Sequence, residues 1–223
     1  MPATFQPSRD SLSLVLIGSF QPQTFQPAWF ALEGLVGRSD ADQAKITVIH
    51  REVASFSMGP FHLTVVEDRF QAQVHESQHF DALRDLVVGT FRLLRATPVR
   101  MLGINREFHF KAPTGFSWED LQEKVAPKAP WTGVLPSARP ASLTVRSGRS
   151  DGRSGLINVR IEPSPAEKGG TYINFNDHFD EANFSKVGAE AVLALLESQF
   201  AVSVERAMTI SVTLLESAWK PQR

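Results

Sequence analysis

Apolar positions along the chain follow two periods, and the changes from one to the other mark out its elements. Leu12 to Phe20 (LSLVLIGSF) is a short aliphatic run with few polar interruptions, which predicts a strand. Pro27 then opens a short helix with Trp29, Phe30, Leu32, Leu35 and Val36 as its apolar stripe, weakened by Gly34 and Gly37. Lys45 to Ser57, Pro60 to Glu67 and Arg69 to His75 alternate as strands: Phe61, Leu63 and Val65 share one face, as do Phe70, Ala72 and Val74. Tight turns near Met58-Gly59-Pro60 and Glu67-Asp68 make these a meander.

From His79 to Arg95 the spacing becomes helical, with Phe80, Leu83, Leu86, Val87, Phe91 and Leu94 on one side. Thr97-Pro98 ends that helix, because the residue before a proline is pushed out of helical geometry. Val99 to Lys111 predicts a strand. Ser117, with acidic residues following it and Phe116 placed to staple onto Leu121, predicts a short helix that Pro127 stops. Lys124 to Pro140 holds four prolines and reads as a surface connection. Ala141 to Arg146 and Gly155 to Ile161 predict a hairpin turning at Asp151-Gly152, and Thr171 to Asn176 a further strand. Helical spacing returns at Phe184 to Phe200 and continues through Val204, Met208, Val212, Leu215 and Trp219, as two helices or one bent near Phe200-Ala201; Pro221 ends it.

This order repeats. Strand, short helix, three strands and long helix run from Leu12 to Arg95 and again from Val99 to Phe200. His79-Phe80-Asp81 and His178-Phe179-Asp180 echo each other near the long helix of each half. The expected fold is α+β: two tandem halves, 1–96 and 97–223, forming a largely antiparallel sheet with helices on one face plus a C-terminal helix. The halves can equally form one compact domain.

Composition changes this picture little. At 223 residues, 42% hydrophobic and 21% charged, the chain is of ordinary globular make-up. The surface scaling laws let roughly 70% of the unfolded area be buried. With no cysteine, disulfides and thiolate metal sites are excluded. A formal net charge of −1 argues against a chain built mainly to neutralise a polyanion, while permitting a local basic patch. No basic segment leads into an apolar run at the start and no apolar stretch is long enough to span a membrane, so a cytoplasmic protein without membrane contact is expected.

Candidate chemistry is sparse. His75, His79 and Asp81 are the best local metal candidate, but the histidine pair straddles a strand-to-helix junction, and surface or capping roles account for them as simply. Asp177, His178, Asp180 and Glu181 are explained by acidity at a helix start. His62 and His109 lie on strand patterns, His109 facing away from Phe108 and Phe110. There is no G-x-S-x-G, phosphate loop, H-E-x-x-H or dinucleotide fingerprint. Arg146, Arg149 and Arg153, with interleaved serines and glycines, could present guanidinium groups to phosphate, helped by Lys111 or Arg100. A solvated hairpin tip is the simpler reading, since no aromatic residue there could stack on bases.

Pro98-Val99-Arg100-Met101-Leu102-Gly103-Ile104-Asn105-Arg106, directly after the long helix, resembles the central P-x-x-x-L-G-I/L signature of a sporadically distributed bacterial family of unknown function. Ser19-Phe20-Gln21-Pro22 matches that family's early strand-to-proline step, and Phe200, Val204 and Thr209 loosely echo its C-terminal Phe-x-x-x-Ile-Thr. The resemblance runs nearly full length. It implies a bacterial or phage origin and an accessory role, with no established activity, catalytic residue or cofactor.

The expectation is therefore a binding or assembly protein acting through its sheet face or C-terminal helices, self-associating, with no cofactor and no catalytic chemistry. Trp131, Trp219 and Phe110 are candidate contact residues, core burial being the commoner fate of each. The alternatives are a phosphate or nucleic-acid binder using the hairpin arginines, and a metal-dependent hydrolase using His75, His79 and Asp81.

Overall fold

The computed structural model describes residues 5–181, 184 and 188–219, in which one nine-stranded antiparallel sheet carries its helices on a single side. Strand β1 (Arg9–Gly18) lies at the centre against β6 (Val99–Phe110). Outward from β1 come β5 (Arg69–Val74), β4 (Phe61–Val66), β3 (Val53–Met58) and β2 (Lys45–Ile49). Outward from β6 come β9 (Thr171–Phe179), β8 (Gly155–Pro163) and β7 (Leu143–Gly148). Between β1 and β2 the chain forms α1 (Pro27–Leu32) and α2 (Arg38–Asp42); α3 (Phe80–Leu93) follows β5, α4 (Trp118–Val125) joins β6 towards β7, and α5 (Ala189–Trp219) follows β9.

Period-2 alternation fixes which side of the sheet each residue faces, because a slip of one residue would turn every apolar side chain outward. Leu12, Leu14 and Leu16 of β1, Phe70, Ala72 and Val74 of β5, and Leu102 and Ile104 of β6 all face the helices and are buried. Against them lies a nest of rings: Phe25, Phe70 and Phe91 stack mutually, with Phe70 and Phe91 edge-to-face at 4.9 Å. A second cluster joins Phe108, Phe110, Ile173, Phe175, Trp118, Leu121, Leu215 and Trp219. The Ser117 and Asp120 side chains close a capping box at the start of α4, and the Trp219 indole N–H donates to the Ser117 carbonyl at 2.9 Å, tying the end of α5 to that cap.

The two halves share an order of elements, but an exact duplication is not confirmed. Lys45 to Ser57, expected as one strand, is two: the chain turns at 50–52 and β2 becomes a fourth strand of the first half, at the sheet edge. The two tripeptides do not correspond either. His79 and Phe80 stand at the start of α3, whereas His178 and Phe179 are the last residues of β9. Asp177 is thus a strand residue facing the core, not part of an acidic helix start. Helix α5 is one 31-residue helix, about 46 Å long at 1.5 Å per residue, with no break at Phe200-Ala201. Of its expected N-terminal extension, 185–187 lie outside the described residues, as does the expected stop at Pro221.

Candidate functional site

The strands turn most of their large apolar side chains to the helix side, and the opposite side is left largely to polar neighbours, with Val15, Ile17, Val53, Val66, Met101 and Leu156 among its apolar members. A single register row crosses all nine strands there: Lys45 opposite Ser57, Ser57 opposite His62, His62 opposite Gln73, Gln73 opposite Ser13, then Asn105, Asn176, Asn158 and Arg146 in turn. None of the nine is apolar. Over five strands the row is a chain of donors running one way. The Arg146 Nε donates to Asn158 (2.9 Å), the Asn158 amide to Asn176 (3.2 Å), Asn176 to Asn105, and Asn105 to the Ser13 hydroxyl (3.4 Å). Donors aligned in sequence polarise one another, which holds the amides in place.

Charge divides between the two sides. On the helix side the buried and part-buried arginines are matched to carboxylates: Arg106 meets Asp10 at 2.6 Å, Arg149 meets Asp151 at 2.6 Å and Arg206 meets Asp177 at 2.8 Å, while the more exposed Arg92 meets Glu197 at 2.6 Å. On the open side the guanidinium groups are held by neutral amides, Arg146 by Asn158 and Arg69 by Gln71 (2.6 Å). Arg160 approaches a carboxylate, Glu162, only to 3.7 Å and lies over the Tyr172 ring. The strands present Arg9, Lys45, Arg69, Arg146 and Arg160 on this side against Glu107 and Glu162. Five cations against two carboxylates make the open side positive in a chain whose net charge is −1.

At one end of this face a cleft of about 660 Å³ is lined by Ser8, Arg9, Ser11, His75, Glu107 and His109 among others. Arg9 has no ion-pair partner among the described residues. The His109 ring lies against that of Tyr172, tilted, with centres 5.0 Å apart, and its Nδ1 lies 2.8 Å from the Ser164 hydroxyl. That hydroxyl oxygen already accepts the Ala166 and Glu167 backbone N–H groups, so its proton goes to Nδ1, and neutral His109 carries its own proton on Nε2. Burial, and then the nearby Arg9 charge, hold the imidazole below its usual pKa, with Glu107 and Glu167 opposing. Ser164 is the apex of a turn and not an activated nucleophile, since its oxygen is committed to two backbone donors.

The residues singled out in the sequence do not assemble as expected. Arg149 has a fully buried side chain between Asp151 and Asp177, with its guanidinium 3.7 Å from the centre of the Phe179 ring. Arg146 lies on the opposite side of the sheet, and Arg153 is half-exposed, 4.0 Å from Glu181. The three arginines therefore form no common anion site. Lys111 reaches Glu167 at 3.9 Å, and Arg100 donates to the Gly18 carbonyl. His79 lies 3.9 Å from Glu76, Asp81 pairs with Arg84 at 2.9 Å, and His75 belongs to the cleft. Among the described residues no three histidine or carboxylate side chains gather to hold a metal ion. Phe110 and Trp219 are core residues, while Trp131 is half-exposed.

The buried network around Asp177 is what the sequence reading missed. Asp177 accepts from Arg149, Arg206 and the Ser203 hydroxyl and is wholly buried. It joins the β7–β8 hairpin tip to the middle of α5. Its signal was a lone carboxylate at an inward position of β9, in line with Ile173, Phe175 and Phe179. No helix of the described residues is long and apolar enough to cross a membrane. The chain matches no protein-family model, and no characterised protein matches its sequence.

Proposed function

We propose that the chain is a cytoplasmic bacterial binding protein without catalytic chemistry, which takes an acidic segment of a partner protein across the open side of its sheet. The observation that carries this reading is the different treatment of arginine on the two sides. Inside the fold each guanidinium is matched to a carboxylate, while on the open side Arg69 and Arg146 are oriented by amides and keep their charge uncompensated. A guanidinium held in place by a neutral partner is prepared to take a carboxylate from outside, at little further cost in side-chain freedom. The row of asparagine, glutamine and serine supplies further donors and acceptors for a polar main chain. Stacking platforms are sparse on this face, which favours an acidic polypeptide over single-stranded nucleic acid.

The test is titration with poly-L-glutamate and, separately, with an oligothymidylate, followed by amide chemical shifts. Poly-L-glutamate is expected to shift residues of β1, β6, β8 and β9 on the open side, with affinity falling as salt rises. The double variant Arg146→Glu, Arg160→Glu should weaken it at least tenfold. Shifts confined to the helix side, or an unaffected double variant, would remove the reading; tighter binding of the oligothymidylate would transfer the face to nucleic acid.

A further inference from the structure

The outer strands of the two halves are covered differently. In the first half Phe25 and Phe30, from the segment between β1 and β2, lie over the outer strands, with Phe30 and Phe56 rings 6.1 Å apart. Ala54, Phe56, Met58, Leu63 and Val65 are consequently at most 1% exposed. In the second half the segment between β6 and β7 places α4 against Phe108, Phe110 and Trp219 instead. The helix-side residues Leu143, Ile157 and Val159 are then only partly buried, and Val145 is 50% exposed. The rest of that segment, leading into β7, exposes Trp131, Val134 and Leu135.

β7 is also an unprotected edge. Its six residues pair with β8 without a register shift and contain no proline. Its one ionisable residue, Arg146, faces the open side. The opposite edge, β2, is broken by a register shift between Ile46 and Val48, a common way to discourage pairing with another chain.

From these two features the geometry points to a homodimer in which β7 of one copy pairs antiparallel with β7 of a second. The contact is isologous, consumes the edge in both copies and so stops at two. The register centres on Val145: Val145 stands opposite the same residue of the second copy, Thr144 opposite its Arg146, and Leu143 opposite its Ser147. A register centred on Arg146 would set like charges face to face. Val145, half-exposed on this unpaired edge, is the apolar side chain that such pairing would bury against its own counterpart.

Light scattering and sedimentation across protein concentration provide the test. The unaltered chain should reach twice its monomer mass, and Val145→Lys should remain a monomer while Ile46→Lys on the other edge still dimerises. Because the chain has no cysteine, single substitutions report the register directly. Mild oxidation should cross-link Val145→Cys as a dimer at protein concentrations where Thr144→Cys and Ile46→Cys stay uncrosslinked. This readout stands even if Val145→Lys fails to fold. A monomer at every concentration, a dimer undisturbed by Val145→Lys, or equal cross-linking at all three cysteines would overturn the proposal.

Discussion

Among the described residues the Arg106 and Arg149 side chains are buried, and each is held by rings as well as charge. The Arg106 guanidinium lies 4.6 Å from the Phe108 ring centre and 5.3 Å from that of Phe80, pairs with Asp10, and donates to the Val204 carbonyl of α5 at 2.7 Å. Arg149 is held by Phe179, Asp151 and Asp177. Removing one member of such a group leaves a charge buried without its partner. Asp177→Asn is accordingly expected to cost about 3–5 kcal/mol in urea unfolding. Arg149→Met combined with Asp177→Leu should cost less than the two single changes added together. Asp151 is held well below the usual carboxylate range, chiefly by its hydrogen bonds from Arg149, against an opposing effect of burial. A depressed native value means that the unfolded chain takes up the proton first. The stabilisation is complete above the unfolded value of about 4 and is lost as pH falls towards the native one. Urea midpoints should drop as the pH is taken below 4, and Asp151→Asn should flatten that slope. For His109 the sign is the same: its stabilisation is complete above about 6.5 and lost as pH falls below it. Its NMR titration midpoint should lie below 6.5 and move up in Arg9→Ala, since the Arg9 charge contributes to the depression.

At the scale of elements, backbone geometry limits what can change. Gly155 opens β8 at φ +130°, and a Cβ there would fall 2.0 Å from the His178 carbonyl oxygen across the strand pair. Gly155→Ala should therefore loosen the β8–β9 pairing at that end, read as faster amide exchange around His178 and Phe179. Phe70 and Phe91 bring β5 and α3 together through an edge-to-face contact in a fully buried site, so Phe91→Ala is expected to destabilise by about 3–5 kcal/mol in chemical unfolding. Most of these elements were legible from period alone. The helix over 80–93, the capping box at Ser117 and the hairpin turns follow from local spacing and side-chain reach. The division of Lys45 to Ser57 into two strands was not legible, since alternation continues on both sides of the bend. Nor was the continuity of α5. A polar belt crosses its apolar stripe near Ser203 and Arg206, and there the helix faces Asp177 of a distant strand.

For the whole molecule, the pairing of β1 with β6 joins the two halves into one sheet, and everything of functional interest follows from its having helices on one side only. The candidate site was legible only in part. The outward residues of the clearly alternating strands could be named from the pattern, His109 among them, but the row through Lys45, Asn105 and Arg146 joins strands as distant in the chain as those of Ser13 and Asn176 and exists only once register is set. The hairpin arginines were visible as a composition feature; that Arg149 turns inward to Asp177 while Arg146 turns outward to Asn158 depends on where β9 lies.

The sequence by itself determined the α+β class, the largely antiparallel strands, the buried side of the clearly alternating ones such as β4 and β5, the helix over 80–93 and a helical C-terminal end, because periodicity and capping are local and act within a few residues. Only the tertiary structure decided the strand order, the internal use of Arg106 and Arg149, the positive open face and the uncovered β7 edge. Those depend on which carboxylates and rings arrive from remote segments, and charge compensation and coverage are properties of neighbours in space, not of neighbours in the chain.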